Sequence, residues 1–417
     1  MNDFHQQKLV LNSFLLFVLV VCAFSGSFVE GLEDSAVSLY RAGIISGSLL
    51  FLLVFAVFTP GFLANSSKVF WFVVILASYG FLVAIYSDTV VSSLSTYFRL
   101  IIFALVSEIV RRICLSEREF LVRLSWLFSA LLCVSLVIVI QEYLSGETQF
   151  LNGALRHDAN LSSPIGFSAY IFALFVGLLF FWLRFESFLF FVLSLAALAL
   201  IFLSGTRSVS VVSGAFLLFA IVLKRDPVSK VFVSLPLTIL GLFFMYKAGL
   251  LNSVVDRIGS LAGGSLDASG SFRMYIVDIY ASNATVSEVL FGFGLGGFYG
   301  WFEAQTGMPD VAPHFELLWL VSEFGLIAAL IYVFVALSFF LFGVSRLLGE
   351  SMRPYLFLLT AVVFGHMSTL QLANPFYFYQ FVLVYGILMG ILLSNERMAL
   401  NIWPQIRKAG TSGAQTS

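Results

Sequence analysis

Long apolar runs separated by short polar breaks make up almost the whole chain. Most runs are about 20 residues long, the length at which an α-helix crosses the hydrocarbon core of a bilayer. A single α-helix also satisfies its backbone hydrogen bonds within one segment, which the lipid environment requires. The pattern therefore predicts an all-α integral membrane protein with about twelve transmembrane helices. The predicted spans are residues 9–29, 43–64, 69–86, 90–110, 119–144, 163–184, 187–205, 208–223, 229–247, 314–343, 354–371 and 376–393.

Composition agrees with a membrane protein: 60% of the residues are hydrophobic, 11% are charged, and the net charge is −1. The mean hydropathy is +1.00. The chain has no excess of basic residues, so its charge gives no indication of a nucleic-acid partner. The three cysteines, Cys22, Cys114 and Cys133, lie in or beside apolar runs and predict neither a disulfide framework nor a metal cluster. The first run has no clear basic start or cleavage site, so we interpret it as a retained helix and not a signal peptide.

The distribution of Lys and Arg predicts the orientation of the chain. With the N-terminus inside, 15 of the 22 basic residues lie on the inner side and six on the outer side. Both termini then lie in the cytoplasm, and the predicted location of the protein is a bacterial inner membrane. Residues 1–417 form a single polytopic domain with a smaller periplasmic loop at 145–162 and a larger one at 248–313. Because the inner loops are short, we expect any chemistry on the periplasmic face.

Within the larger loop, residues 271–290 show an amphipathic helical pattern that we expect to lie at the membrane interface. Ser269 or Ser271 is a candidate N-cap. The glycine run Gly292–Gly297 that follows resembles a dinucleotide fingerprint on paper. It follows a helix instead of a strand, however, so we reject that interpretation. The apolar stripe is formed by Phe272, Tyr275, Ile276, Ile279 and Tyr280.

Three residues are candidates for chemistry at the outer surface. Arg207 and Arg273 carry guanidinium groups that stay charged and can grip phosphate oxygens in pairs, so together they suit a diphosphate. His314 opens the span at 314–343 and can exchange a proton near neutral pH, which suits a catalytic base. The simpler alternatives are a headgroup contact for Arg207, a solvated loop charge for Arg273 and a polar helix start for His314.

Four further residues are candidates for supporting roles. Arg99 lies about ten residues into its span, roughly 15 Å from its end, and predicts an internal ion pair or a ligand contact. Glu323 could pair with Arg99 or Arg207 or hold a backbone break, and structural support is favoured over catalysis. Tyr275 could stack on a sugar ring, although interfacial aromatic residues are commoner. His366 is more typical of a satisfied buried histidine.

No spacing of acidic residues or histidines indicates a metal site. Glu30, Glu33 and Asp34 cluster in the first outer loop, where a solvated acidic loop is the simpler interpretation. We therefore expect chemistry that needs no metal and no cofactor.

Four pieces of sequence, in this order, resemble the O-antigen ligase and polymerase superfamily: Ser204–Arg207, Ser271–Tyr275, Val289–Phe298 and His314–Leu326. The family pattern is a Ser-x-Ser-Arg element, an arginine-led helix, a glycine-rich turn, and a helix that opens with His and carries Glu-x-Gly. Gly205 and Thr206 depart from the first element. The stretch Gly153–Tyr170, which contains Arg156, His157 and Asn160, is similar to the smaller outer loop of the family.

The resemblance implies a C-type glycosyltransferase membrane fold and inverting transfer from undecaprenyl-diphosphate-linked glycans. Carried over by position, Arg207 and Arg273 would bind the diphosphate, His314 would assist the acceptor hydroxyl, and Arg156 would support the site. Phe315 stands where many members have a small or polar residue, which leaves acceptor recognition open. The expected partners are the lipid-linked donor, a glycan acceptor, membrane lipid and a chain-length regulator, but no nucleic acid.

Three functions remain open at this point. A polymerase would join lipid-linked repeat units into O-antigen or a related surface polysaccharide, and a ligase would transfer the finished glycan to lipid A–core. The motifs do not separate these two, and the modest second outer loop favours the polymerase slightly. A flippase or transporter for the same lipid-linked sugar is less favoured, because the two halves of the chain show no internal repeat.

Overall fold

The structure is a computed structural model in which the described residues are mostly helical. They are residues 2–24, 34–59, 62–86, 90–117, 119–145, 149–151, 154–156, 164–204, 206–224, 236, 239, 268–309, 311, 316–365, 379–395 and 398.

The first eight helices are α1 (Asn2–Phe24), α2 (Asp34–Phe58), α3 (Lys68–Tyr86), α4 (Val90–Ser116), α5 (Phe120–Ser145), α6 (Pro164–Phe185), α7 (Phe188–Leu203) and α8 (Arg207–Leu223). The later helices are α9 (Ala268–Asn283), α10 (Val286–Phe291), α11 (Gly297–Thr306), α12 (Glu316–Trp319), α13 (Gly325–Leu347), α14 (Arg353–Thr360) and α15 (Tyr379–Leu393). Two π-helical turns, Leu320–Phe324 and Ala361–Gly365, and a 3₁₀ turn at Glu350–Met352 complete the helical part.

The all-α prediction is confirmed for the described part of the chain, apart from one short hairpin. Strands β1 (Gln149–Leu151) and β2 (Ala154–Arg156) pair antiparallel, with Gln149 opposite Arg156. The hairpin lies in the smaller predicted outer loop. It places the backbone of Arg156 at the end of β2.

Eleven of the twelve predicted spans fall on described helices, and the span predicted at 229–247 lies almost wholly outside the described residues. Four helical stretches of the described chain are long and apolar enough to cross a membrane: Lys68–Tyr86, Phe120–Ser145, Ile165–Phe185 and Leu317–Leu347. The chain thus has the helices of a membrane protein, while twelve crossings stay a prediction. One boundary differs in kind, because Asp34, which we placed in the first outer loop, begins α2.

The main core is built around α6, whose apolar stretch is 94% buried inside the protein. Helices α5, α7, α8, α14 and α15 pack around it. Helix α15 is also buried on its other side, where it lies against α4. Gly386 and Gly390 allow this approach, because a Cβ on Gly390 would lie 2.6 Å from the Ser107 carbonyl oxygen. Small residues at helix contacts are the usual means by which membrane helices pack closely.

A buried carboxylate joins the end of α4 to the segment before α3. Glu108 is fully buried and forms ion pairs with Arg111 at 2.5 Å and Arg112 at 2.8 Å. It also accepts a hydrogen bond from the Ser67 backbone N–H at 3.0 Å. The same guanidinium groups donate to backbone carbonyls, Arg111 to Asn65 at 2.7 Å and Arg112 to Phe62. One carboxylate therefore fixes two cations and, through them, a turn more than 40 residues earlier in the chain.

Glu108→Gln is expected to lower stability by about 3 kcal/mol, because breaking a buried ion pair leaves uncompensated charge. The measurement is the thermal midpoint of the purified protein in detergent. The matched control is Glu350→Gln, since Glu350 also pairs with an arginine three residues later but is 63% exposed. Ion pairs at the protein surface contribute little to the stability of the fold. Equal midpoints for the two variants would contradict a stabilising role for the Glu108 cluster.

Candidate functional site

A second, smaller hydrophobic cluster holds the candidate site together. It joins α9, α10, α11, the turn between them, and the start of the α12–α13 segment. The buried members are Ile276, Tyr280, Phe293, Phe298, Phe302 and Leu318. Partly buried residues that pack against it include Phe272, Ile279, Trp301 and Val311.

The apolar stripe of α9 faces this cluster. Ile276 is 1% exposed and Tyr280 7%, whereas Tyr275 at 38% lies at the edge. Phe272 stacks on Tyr275 at 6.2 Å between ring centroids, and Tyr275 meets Phe302 edge-on at 6.4 Å. Protein therefore covers most of the stripe, whereas the location of α9 at the membrane interface stays a prediction.

The single helix predicted at 271–290 is wrong in its bounds. Helix α9 begins at Ala268, so Ser269 and Ser271 lie inside its first turns and are not N-caps. It ends at Asn283, and α10 starts anew at Val286 behind a capping box. There the Thr285 hydroxyl accepts from the Glu288 N–H, while the Glu288 carboxylate accepts from the Thr285 N–H at 2.7 Å. This cap satisfies free N–H groups at a new helix start and separates the two helices.

Arg273 is half-buried on α9. Burial lowers the pKa of its guanidinium from the usual range, but an arginine with a moderately lowered pKa is still charged at neutral pH. Within the described part of the chain, no carboxylate lies within ion-pair distance of Arg273. A cation that has lost part of its hydration, and whose described surroundings contain no carboxylate counterion, is a favourable ligand for an external anion.

Tyr280 lies two turns after Arg273 on the same face of α9, at spacing i, i+7. Its hydroxyl is buried and makes no hydrogen bond within the described part of the chain. Burial, together with the nearby charge of Glu288, raises the pKa of Tyr280 to about 12. The phenol is therefore protonated at neutral pH and can donate a hydrogen bond on the same face of α9 as Arg273, about 10 Å along the helix axis.

The glycine-rich turn after α10 binds directly to the helix break in front of α13. The Phe293 N–H donates to the Ser322 carbonyl at 2.7 Å, and the Gly294 N–H donates to the Glu323 carbonyl at 3.0 Å. On its other side the turn contacts α3, where the Leu295 N–H donates to the Gly80 carbonyl at 3.2 Å. Irregular backbone at membrane depth must find partners within the protein, and this turn and this break satisfy each other.

Three glycines make that contact possible. Gly292, Gly294 and Gly325 have φ angles of +81°, +82° and +82°, in a region that glycine adopts without strain. A Cβ on Gly325 would lie 2.2 Å from the Leu290 carbonyl oxygen, and one on Gly294 would lie 2.4 Å from the Ala84 backbone. Backbone therefore packs directly on backbone at both faces of the turn.

Glu323 lies inside the π-helical turn and is fully buried. Its carboxylate accepts a hydrogen bond from the Trp319 indole N–H at 2.6 Å. Its backbone carbonyl receives the Gly294 N–H. These contacts support the interpretation that Glu323 holds a backbone break, since π-turns place unusual backbone geometry at a defined point of a helix.

The other predicted site residues are described only in part. Arg207 begins α8, where its backbone alone is described, and the same holds for Arg156 in β2. Arg99 is half-buried on α4, in the main core region. His314 and His366 lie outside the described residues. The structure therefore places Arg273 and Tyr275 on α9, whose apolar stripe shares a cluster with the segment that contains the Glu323 break. The positions of the Arg207 and His314 side chains stay predictions.

Helix α3 supplies contacts that the sequence reasoning missed. Ala77, Gly80 and Ala84 are buried small residues that let the glycine turn and Phe324 approach the helix. The Tyr79 hydroxyl donates to the Phe291 carbonyl at 3.3 Å, and the Ser93 hydroxyl of α4 donates to the Leu295 carbonyl. The recurrence of small residues at spacings of three and four in α3 is a signal that could have indicated this surface.

No family model, no curated protein and no solved structure matches the chain.

Proposed function

We propose that this chain is a periplasmic-face glycosyltransferase that polymerises undecaprenyl-diphosphate-linked oligosaccharide repeat units into O-antigen or a related surface polysaccharide. The observation that carries the proposal is the setting of Arg273. A half-buried cation without a carboxylate counterion in the described chain lies on α9. The apolar stripe of that helix packs in an aromatic cluster, which is hydrogen-bonded to the helix break that follows His314 in sequence. This setting supports an anion site beside a proton-exchanging group.

In the proposed reaction, Arg273 and Arg207 bind the diphosphate of the donor, with Tyr280 as an additional hydrogen-bond donor. His314 accepts the proton of the acceptor hydroxyl. The acceptor oxygen forms a bond to the anomeric carbon, and the bond from that carbon to the phosphate oxygen breaks. The diphosphate leaves with the electron pair, and the two guanidiniums stabilise its growing charge. Attack opposite to the leaving group inverts the anomeric centre.

The charge distribution supports the proposed location. The excess of Lys and Arg in the predicted inner loops is the pattern of a bacterial inner-membrane protein with both termini in the cytoplasm. The residues of the proposed site, Arg207, Arg273 and His314, then all lie on the periplasmic side. The glycine turn and the helix break would form the floor beneath them.

The test is a glycan profile of cells that lack the gene, complemented with wild-type protein or with His314→Ala. We expect the deletion strain to carry core with a single repeat unit and no ladder. Wild-type protein should restore the ladder, whereas His314→Ala should fail to restore it although the variant accumulates in the membrane. The matched control is His5→Ala, which removes a histidine at the predicted cytoplasmic end of α1 and should complement fully.

Other outcomes would replace the proposal. Bare core with long glycan stranded on undecaprenyl diphosphate would identify a ligase. Bare core, with single repeat units accumulating on undecaprenyl diphosphate at the cytoplasmic face, would identify a flippase. An intact ladder in the deletion strain would remove both the polymerase and the ligase for O-antigen. Full complementation by His314→Ala would remove that residue from the mechanism.

A further inference from the structure

An apolar cavity of about 530 Å³ lies among α3, α4, α13 and α15. This volume falls within the range of about 300–1,000 Å³ typical of small-molecule sites. Both π-helical turns contribute to its wall, the first through Leu320 and Phe324 and the second through Val362 and Val363. The cavity is therefore located where two helices depart from regular geometry, which is a feature of functional sites in helices.

The lining excludes water as the natural occupant. Most wall residues are aliphatic or aromatic, and two of the polar side chains among them already have partners within the protein. The Trp319 indole donates to Glu323, and the Tyr385 hydroxyl donates to the Val362 carbonyl. A buried water needs two or more polar partners, whereas most of this wall is apolar. An apolar chain, in contrast, regains the van der Waals contacts that an empty cavity forfeits.

Two cations lie in or next to the cavity wall. Lys68, an exposed residue at the start of α3, belongs to the lining. Phe342 of α13 lines the cavity as well, and the guanidinium of Arg346, one turn further on, lies 4.4 Å from the centre of its ring. The first N–H groups of α3 add the partial positive charge of a helix N-terminus at this point. Trp319 and Phe324 also line the cavity.

We propose that this cavity binds one acyl chain of an anionic membrane phospholipid whose phosphate contacts Lys68 and Arg346. The apolar wall matches the hydrocarbon chain, and the cations match the headgroup. Both cations lie on the side that the charge distribution predicts to be cytoplasmic, where anionic headgroups attract basic residues. The site is therefore separate from Arg273, which lies on a helix of the second cluster.

The probe is dioleoyl phosphatidylglycerol, compared with dioleoyl phosphatidylcholine, added to delipidated full-length protein in detergent. Native mass spectrometry counts bound lipids. We expect one phosphatidylglycerol per chain to bind at least about tenfold more tightly than phosphatidylcholine, since each headgroup cation favours an anionic lipid. Lys68→Gln should reduce that preference at least about threefold, because one of the two cations is lost.

Two substitutions test the cavity itself. Ala336→Trp places an indole in the cavity and should weaken phosphatidylglycerol binding at least about tenfold. Leu337→Trp is the matched control, because Leu337 is the next residue on α13, is 42% exposed and does not line the cavity. If Ala336→Trp does not fold, Ser338→Trp introduces the same bulk from another position in the lining.

Three results would overturn the proposal: equal affinity for the two lipids, equal binding by the Ala336→Trp and Leu337→Trp variants, or displacement of phosphatidylglycerol by an equimolar amount of undecaprenyl phosphate. The last result would assign the cavity to a polyprenyl chain. The measurement requires no glycosyl transfer, so its outcome does not depend on the proposed function.

Discussion

Replacing Arg273 by glutamine is expected to lower the rate of glycan transfer about 100-fold, the cost of removing one preorganised group that stabilises developing charge. Arg273→Lys keeps the charge but not the paired hydrogen bonds, so it should lose about tenfold. The measurement is polymer formation by purified protein supplied with lipid-linked repeat units. Thermal midpoints in detergent should stay at the wild-type value, because no carboxylate in the described chain depends on Arg273.

The control for Arg273 is Asp278→Asn, which removes a charge from the exposed side of the same helix and should leave the rate unchanged. A second measurement separates binding from a structural role. Adding guanidinium ion to Arg273→Ala should restore part of the activity if the guanidinium contacts the diphosphate. Wild-type rates for Arg273→Gln, or a lowered midpoint without any rescue, would exclude Arg273 from the anion site.

The helices were the part of the fold that the apolar pattern predicted best. Spans such as 69–86 and 163–184 coincide with α3 and α6 to within a residue, because a long apolar run in lipid has helix as its simplest solution. The division of 271–290 into α9 and α10 was missed, although the capping-box signature of Thr285 and Glu288 is readable in the sequence. The apolar periodicity continues through the break and concealed it.

The contacts of the site could not be predicted in the same way. The apolar pattern of the sequence predicts that Glu323 lies in a helix. It leaves two roles open for this residue, which are pairing with Arg99 or Arg207 and holding a backbone break. Its carbonyl accepts a hydrogen bond from the N–H of Gly294, which lies almost 30 residues earlier in the chain. Likewise, the charges of Glu108, Arg111 and Arg112 are visible as an i, i+3, i+4 set, but their bonds to Phe62 and Asn65 exist only once α4 packs beside α3. Tertiary contacts of this kind depend on how helices meet.

Gly325→Ala is expected to prevent accumulation of folded protein. The new Cβ would lie 2.2 Å from the Leu290 carbonyl oxygen, and this neighbour is backbone that cannot rotate away. The backbone angles of Gly325, φ +82° and ψ 161°, lie in a region that only glycine adopts readily, which adds strain. Together these effects should lower the free energy of unfolding by more than about 4 kcal/mol, a size that is typical of severe overpacking. The measurement is the yield of monodisperse protein in detergent and its thermal midpoint.

Two other glycines separate the steric cost from the backbone strain. Gly307 has a φ angle of +72°, but a Cβ added there would have no atom within 4 Å, so Gly307→Ala should cost only about 1 kcal/mol. Gly300 lies within α11 with open space beside it, so Gly300→Ala should be neutral or slightly stabilising, since alanine is the better helix former. The expected order of stability, from highest to lowest, is therefore Gly300→Ala, then Gly307→Ala, then Gly325→Ala.

Gly294→Ala tests the other face of the glycine-rich turn. We call the contact of this turn with the helix break before α13 the junction. Its Cβ would lie 2.4 Å from the Ala84 backbone, so it should fail as Gly325→Ala does, although the two residues contact different helices. If both variants fold and only transfer is lost, the junction positions the site without stabilising the fold. If Gly325→Ala is no worse than Gly307→Ala, the close approach of α10 and α13 is incorrect. Arg273 and the segment after His314 would then lack the common support on which the proposed site depends.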